Sequence, residues 1–271
     1  MRNLTATLCL TLAVLLGSAG VSVSQDFQKG VDAYERGDYA IALREWTPLA
    51  ERGVPGAQYN LGRMYVNGWG VPQDYKTAAK WFTLAAEQGY AEAQFNLGVM
   101  YDDGEGVPQD FATAMKWYTL AAEQGFAFAQ FNLGFMYRTE LGVPQDDKTA
   151  VKWYALAAEQ GHAKSQSSLG FMYANGEGVP QDYKTAVKWF RLGAEQGVAP
   201  AQNNLGNAYG RGQGVIQDNV YAHMWFNIAA SSGDKDAVKN RDIVAGWMTP
   251  SQLETAEKLA RECVAKKYKG C

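Results

Sequence analysis

Residues 57–89 begin Ala57-Gln58-Tyr59-Asn60-Leu61-Gly62-Arg63-Met64-Tyr65 and continue Gly68-Trp69-Gly70-Val71-Pro72-Gln73-Asp74; Lys80-Trp81 and Ala85-Ala86-Glu87-Gln88-Gly89 complete them. This stretch decides the fold because it recurs. Leu61, Leu97, Leu133, Leu169 and Leu205, each followed by glycine, stand 36 residues apart. Tyr65, Trp81 and the pair Gln73-Asp74 repeat at the same step over five copies. A fixed period of this length is the signature of a repeat architecture, in which each unit buries its apolar face only against its neighbours.

Each copy reads as two helices. Ala57, Leu61, Met64 and Tyr65 fall at helical spacing on one stripe, and Ala78, Trp81, Phe82, Ala85 and Ala86 form a broader second one. Small residues let neighbouring helices approach, and the tryptophan and tyrosine supply large apolar areas. Between the helices, glycines allow left-handed backbone and Pro72 cannot continue a helix. Asp74 is placed to cap the second helix, and Gly89 to stop it.

The N-terminus sets the compartment. Arg2 and the apolar run Leu8 to Leu16 have the charge and length of an export signal, too short to span a bilayer, with a cleavage position before Gln25 and a second one at Ala19. Residues 1–24 are therefore read as a signal peptide and residues 25–271 as one domain, periplasmic or secreted, without stable membrane insertion. Within it, 25–53 is the N-terminal capping hairpin, 54–89, 90–125, 126–161, 162–197 and 198–233 are the repeats, and 234–271 is the C-terminal cap. Past the signal, Cys263 and Cys271 are the remaining cysteines. In an oxidising compartment the pair reads as one bridge closing a small terminal loop, against two free thiols on a frayed tail. The formal charge of -3, with neither sign gathered in a run, argues against nucleic acid.

The motif Ala-Gln-x-Asn-Leu-Gly-x-Met-Tyr, followed by Gly-x-Gly-Val-Pro-Gln-Asp, Lys-Trp and Ala-Ala-Glu-Gln-Gly, resembles the Sel-1-like repeat, a relative of the tetratricopeptide repeat with a longer loop between its helices. The resemblance covers residues 26–271. It implies an all-α fold, a right-handed α-solenoid of stacked antiparallel helix pairs, used as a scaffold for protein complexes in bacterial envelope processes. One branch of the family carries a disulfide in every repeat and is associated with penicillin binding; the absence of cysteine between Cys9 and Cys263 makes it a poor match. Glu140 stands where other copies have Gly68, Gly104, Gly176 and Gly212, which predicts a differently shaped third loop. Ile216 replaces the loop proline and Ala208 the methionine in the last copy.

Material for chemistry is sparse. His162 and His223 lie at different repeat positions, read as surface or loop residues, with no cysteine or paired carboxylate at ligand spacing; no metal and no cofactor is expected. Asp102-Asp103-Gly104-Glu105 reads as turn chemistry and not as a calcium loop. The glycine loops lack a preceding strand and end in an aspartate, which disfavours phosphate. Lys80, Lys116, Lys152 and Lys188 read as an exposed outer face.

The repeated positions are explained by packing, so the informative ones are those that vary between copies. One first-helix position reads Arg63, Val99, Phe135, Phe171, Asn207; another reads Gly56, Glu92, Phe128, Lys164, Pro200. By the resemblance, first helices line the concave groove, which makes Arg63, Val99, Phe128, Phe135, Lys164, Phe171 and Asn207 the candidate partner contacts. Phe95 and Phe131, whose neighbouring copies are also aromatic, read as packing residues. The expectation is a non-catalytic scaffold for an unidentified protein or peptide. The alternatives are a cell-wall or β-lactam hydrolase by family analogy and a polysaccharide-binding envelope protein.

Overall fold

A computed structural model describes residues 24–271, so the expected export signal lies outside the described residues except for Ser24. All regular structure among them is helical. After α1 (24–35) and α2 (Tyr39–Glu51) come α3 (Pro55–Asn67), α4 (Tyr75–Glu87), α5 (Ala91–Asp103) and α6 (Phe111–Glu123). These belong to a compact unit ending at Gln124. The second unit, from Gly125, holds α7 (Ala127–Thr139), α8 (Asp147–Glu159), α9 (Ala163–Asn175), α10 (Tyr183–Ala194), α11 (Ala199–Arg211), α12 (Asn219–Ser231), α13 (Lys235–Ala245) and α14 (Pro250–Ala265). From α2 to α6 in the first unit and from α7 to α13 in the second, each helix packs on the next, the helix-pair packing of an α-solenoid repeat, and α14 packs back on α12.

The pairing of helices rests on the Leu-Gly motif. A Cβ on Gly98 would lie 2.7 Å from the ring of Tyr118, and one on Gly62 would lie 2.5 Å from that of Phe82. Gly134, Gly170 and Gly206 face Tyr154, Phe190 and Phe226 in the same way. The glycine is thus a seat for the second helix's ring, which is sealed against the first helix and buried. The tryptophan one position earlier has another task. Trp81 is half-buried against a cluster that joins Ala42 and Trp46 of the preceding helix α2 to Leu61 of its own pair, and Trp117 lies in the same manner against the cluster that holds Phe82 of α4 and Leu97 of its own pair. One ring therefore closes its own hairpin and the next ties it to its neighbour.

A buried glutamine recurs with the same period. Gln58, Gln94, Gln166 and Gln202 donate to the carbonyls of Ala50, Ala86, Ala158 and Ala194 at 3.0, 3.1, 3.2 and 3.1 Å. Their side-chain oxygens accept from a second glutamine at the end of the repeat's other helix: Gln88 to Gln58, Gln124 to Gln94 and Gln196 to Gln166, at 2.7–2.8 Å. In the last copy Ser232 occupies that place and the Gln202 oxygen, fully buried, is without a hydrogen bond.

Caps follow the sequence reading. Asp74 accepts from the backbone N–H groups of Lys76 and Thr77 at 2.9 and 3.2 Å, and Asp110, Asp146, Asp182 and Asp218 cap their helices likewise. The third loop, expected to differ, keeps the form of the others. Glu140 takes the left-handed conformation at φ 61°, as Gly68 and Gly104 do at 67° and 73°, and Leu141 N–H bonds the Met136 carbonyl as Trp69 N–H bonds that of Met64. The closing hydrogen bond and the glycine at 142 hold the turn, so the glutamate is carried in a backbone region that disfavours side chains.

At the C-terminus Thr249 and Gln252 form a capping box that starts α14. Ala260 and Cys263 of α14 close over Trp225 and Ile228 of α12, and the Cα atoms of Cys263 and Cys271 lie 5.6 Å apart. The reading of His223 as a surface residue is corrected here. It replaces Val151 and Val187 of earlier copies on the buried stripe of α12, is 5% exposed, and has no hydrogen bond at Nδ1. Burial first and Arg241 second hold it below the ordinary histidine range, against the opposing pull of Glu257 and Asp242.

Three stability outcomes follow, each read by urea or thermal denaturation. Gly98→Val, which drives atoms into the Tyr118 ring, costs about 1–3 kcal/mol. Glu140→Gly gains roughly 0.5–1 kcal/mol, the relief of left-handed strain less the entropy of glycine. Because the folded state disfavours charged His223, the unfolded chain binds its proton more readily; the contribution is complete above pH of about 6.5 and is lost as pH falls below it. His223→Val therefore flattens the decline in stability between about pH 7 and pH 5.

Candidate functional site

Within each unit the candidate contacts have different surroundings. In the first unit Arg63 is enclosed by aromatic rings: its guanidinium lies 5.3, 5.7 and 5.8 Å from the ring centres of Tyr34, Tyr59 and Trp69 and donates to the Tyr34 hydroxyl at 2.9 Å. A side chain so engaged by cation–π contact is a fixture of its own fold. Val99, on α5, is half-buried. Nearby, the Asp102 carboxylate accepts from the Tyr118 hydroxyl at 3.1 Å, and burial raises its pKa.

In the second unit Phe128 and Phe135 stand seven residues apart on α7, on the same side of the helix, and are 54% and 44% exposed. Phe128 borders a hollow of about 540 Å³ that it shares with Phe131, His162 and Lys164. Phe171, half-buried, lies 4.6 Å under the Arg138 guanidinium, and Arg138 pairs with Glu177 at 3.3 Å. It lines a second hollow, of about 260 Å³, together with Asn207. The structure thus joins Phe128 with Lys164 and Phe171 with Asn207, and leaves Phe135 exposed on α7. Phe131 packs on Tyr154 and Phe95 on Tyr118, as the aromatic repetition predicts.

His162 is neither a plain surface nor a plain loop residue. It caps α9: its Nδ1 accepts from the Ser165 N–H at 3.3 Å and lies 2.8 Å from the Ser165 hydroxyl, and its ring centre lies 5.0 Å from those of Phe128 and Phe131. Burial first and Lys164 second depress its pKa. A histidine beside a serine invites a nucleophile–base reading, but Ser165 is fully buried and no substrate could meet its oxygen. No periodic signal marks His162 as a cap, because the other copies place Val54, Tyr90, Phe126 and Val198 there without a side-chain bond.

Comparison with known proteins places this arrangement. The family model described as the Sel1 repeat matches residues 55–90, 91–126, 127–162, 163–198 and 199–234, one residue later than the boundaries read from the sequence. A Sel1 repeat protein from Oxalobacter formigenes is 34% identical with a TM-score of 0.74, over 79% of this chain and 88% of that one. A protective antigen of uropathogenic Escherichia coli with the same fold is 27% identical, with a TM-score of 0.53 over 91% of this chain and 69% of that one. No curated protein matches the chain. Five consecutive matched repeats, together with ring-on-glycine pairing in each, make the chain a member of the Sel1 repeat family.

Proposed function

We propose that this protein is a non-catalytic interaction scaffold, exported to the periplasm or secreted, that holds a segment of a partner protein against its first helices. Sel1 repeats generally mediate protein–protein interactions. The observation that carries the reading is the placement of Phe128 and Phe135. These two aromatics occur where the copies differ and remain open to solvent. Exposed aromatic anchors of this kind supply most of the binding energy at protein interfaces. Among the described residues no helix is long and apolar enough to cross a membrane.

Export has a chemical corollary at Cys263 and Cys271. We propose that they form a disulfide in the mature protein, since their spacing suits one and their compartment is oxidising. Intact mass without reductant is then lower by two hydrogens than after reduction, and equal masses would reject the bridge.

The decisive experiment is affinity capture from an envelope fraction with the mature protein and with a Phe128→Ser, Phe135→Ser variant. Both positions are exposed, so the variant keeps its helical spectrum and melting behaviour. A protein recovered with the parent and lost with the variant supports the scaffold. Equal recovery moves the contact off α7, and recovery of no protein from the fraction rejects a protein partner.

A further inference from the structure

The last repeat differs from the others where its first helix meets its neighbours. Ala208 stands where Met64, Met100, Met136 and Met172 are buried, and Asn207 where the two preceding copies have Phe135 and Phe171. The missing side-chain volume leaves the hollow of about 260 Å³, with Phe171 and Phe190 at its base and Asn204, Asn207 and Arg211 along its edge. A second hollow, of about 170 Å³, lies across α11, between Phe226, Ile243 and Trp247. Asn207 and Arg211 line both. Four residues apart, they share one side of α11 and form the ridge between the hollows.

We propose that this ridge and its two hollows are a docking site for a partner segment that presents an acidic side chain between two apolar ones. The proposal rests on the scaffold reading and names the chemistry of its partner. Charge complementarity supplies the acidic group: Arg211 is the cation of the site, and no carboxylate among the described residues lines either hollow. A guanidinium in such a setting pairs with a carboxylate in two-pronged geometry. The hollows supply the apolar groups. Each is smaller than the roughly 300–1,000 Å³ of a small-molecule site and suits a single side chain. Trp247 and Ile243, at the second hollow, are 65% and 54% exposed, a large apolar area next to a cation. The amides of Asn204 and Asn207 can each donate to a carbonyl and accept from an N–H, which is what a passing main chain offers.

Selection of displayed short random peptides on the mature protein tests this even while the partner is unidentified. Two variants serve as counter-targets. Ala208→Met fills the first hollow with the residue the other four repeats use and so keeps the fold; Arg211→Glu reverses the ridge charge on an exposed side chain. The expected result is a consensus with Asp or Glu flanked by apolar residues, bound about tenfold or more weakly by each variant, with Lys or Arg replacing the acid when selection is repeated on Arg211→Glu. Peptides held equally by parent and both variants would overturn the site while leaving the scaffold reading to its capture experiment. A consensus without charge, or no enrichment at all, would overturn it as well.

Discussion

Everything in this protein depends on a ring resting on a glycine. Placing glycine inside a helix costs about 1 kcal/mol of helix propensity, and a repeat that does so five times must recover more than it loses. The recovery is geometric. With no Cβ at positions 62, 98, 134, 170 and 206, the second helix can lower a phenylalanine or tyrosine onto the first helix's backbone and bury it. A methyl group there would displace the ring and with it the alanines at 78, 85 and 86 that follow the ring's approach. The Trp81 and Gln58 positions then become available to link one pair to the next, one by apolar contact and the other by a hydrogen-bonded amide relay.

This economy explains where function can reside. A residue buried in every copy is already spent on stacking, so recognition falls to positions that the stack leaves unconstrained. Two kinds of freedom result. On α7 the free positions carry exposed aromatics, which add surface. On α11 they carry smaller residues than their counterparts, which removes volume and leaves hollows. Departures concentrate in the last repeat: Ala208, Ser232, His223 and Ile216 all lie there, and its glutamine relay and buried stripe are incomplete as a consequence. This copy packs on α13 and α14, which lie beyond the matched repeats, so its positions meet different neighbours from those of the other copies.

The sequence-based expectations that fail share a physical cause. Glu140 departs from the glycine of the other loops, yet the left-handed turn is dictated by the hydrogen bond to the Met136 carbonyl and by the neighbouring glycine, and one disfavoured residue does not outweigh them. His223 reads as polar, and polar residues go outside unless the register of a helix forbids it; the register of α12 fixes it among buried residues.

The sequence by itself determined the repeat length, the two helices per copy, their capping aspartates and stop glycines, and the family. These are local or periodic properties, written in spacing that repeats five times and independent of contacts between distant residues. Only the tertiary structure decided which candidate contacts stand together, that Phe171 lies beneath Arg138, that His162 caps a helix, and that Asn207 and Arg211 divide two hollows. Those facts depend on side chains from helices separated in the chain, and the volume left by a missing methionine is visible only when its neighbours are in place.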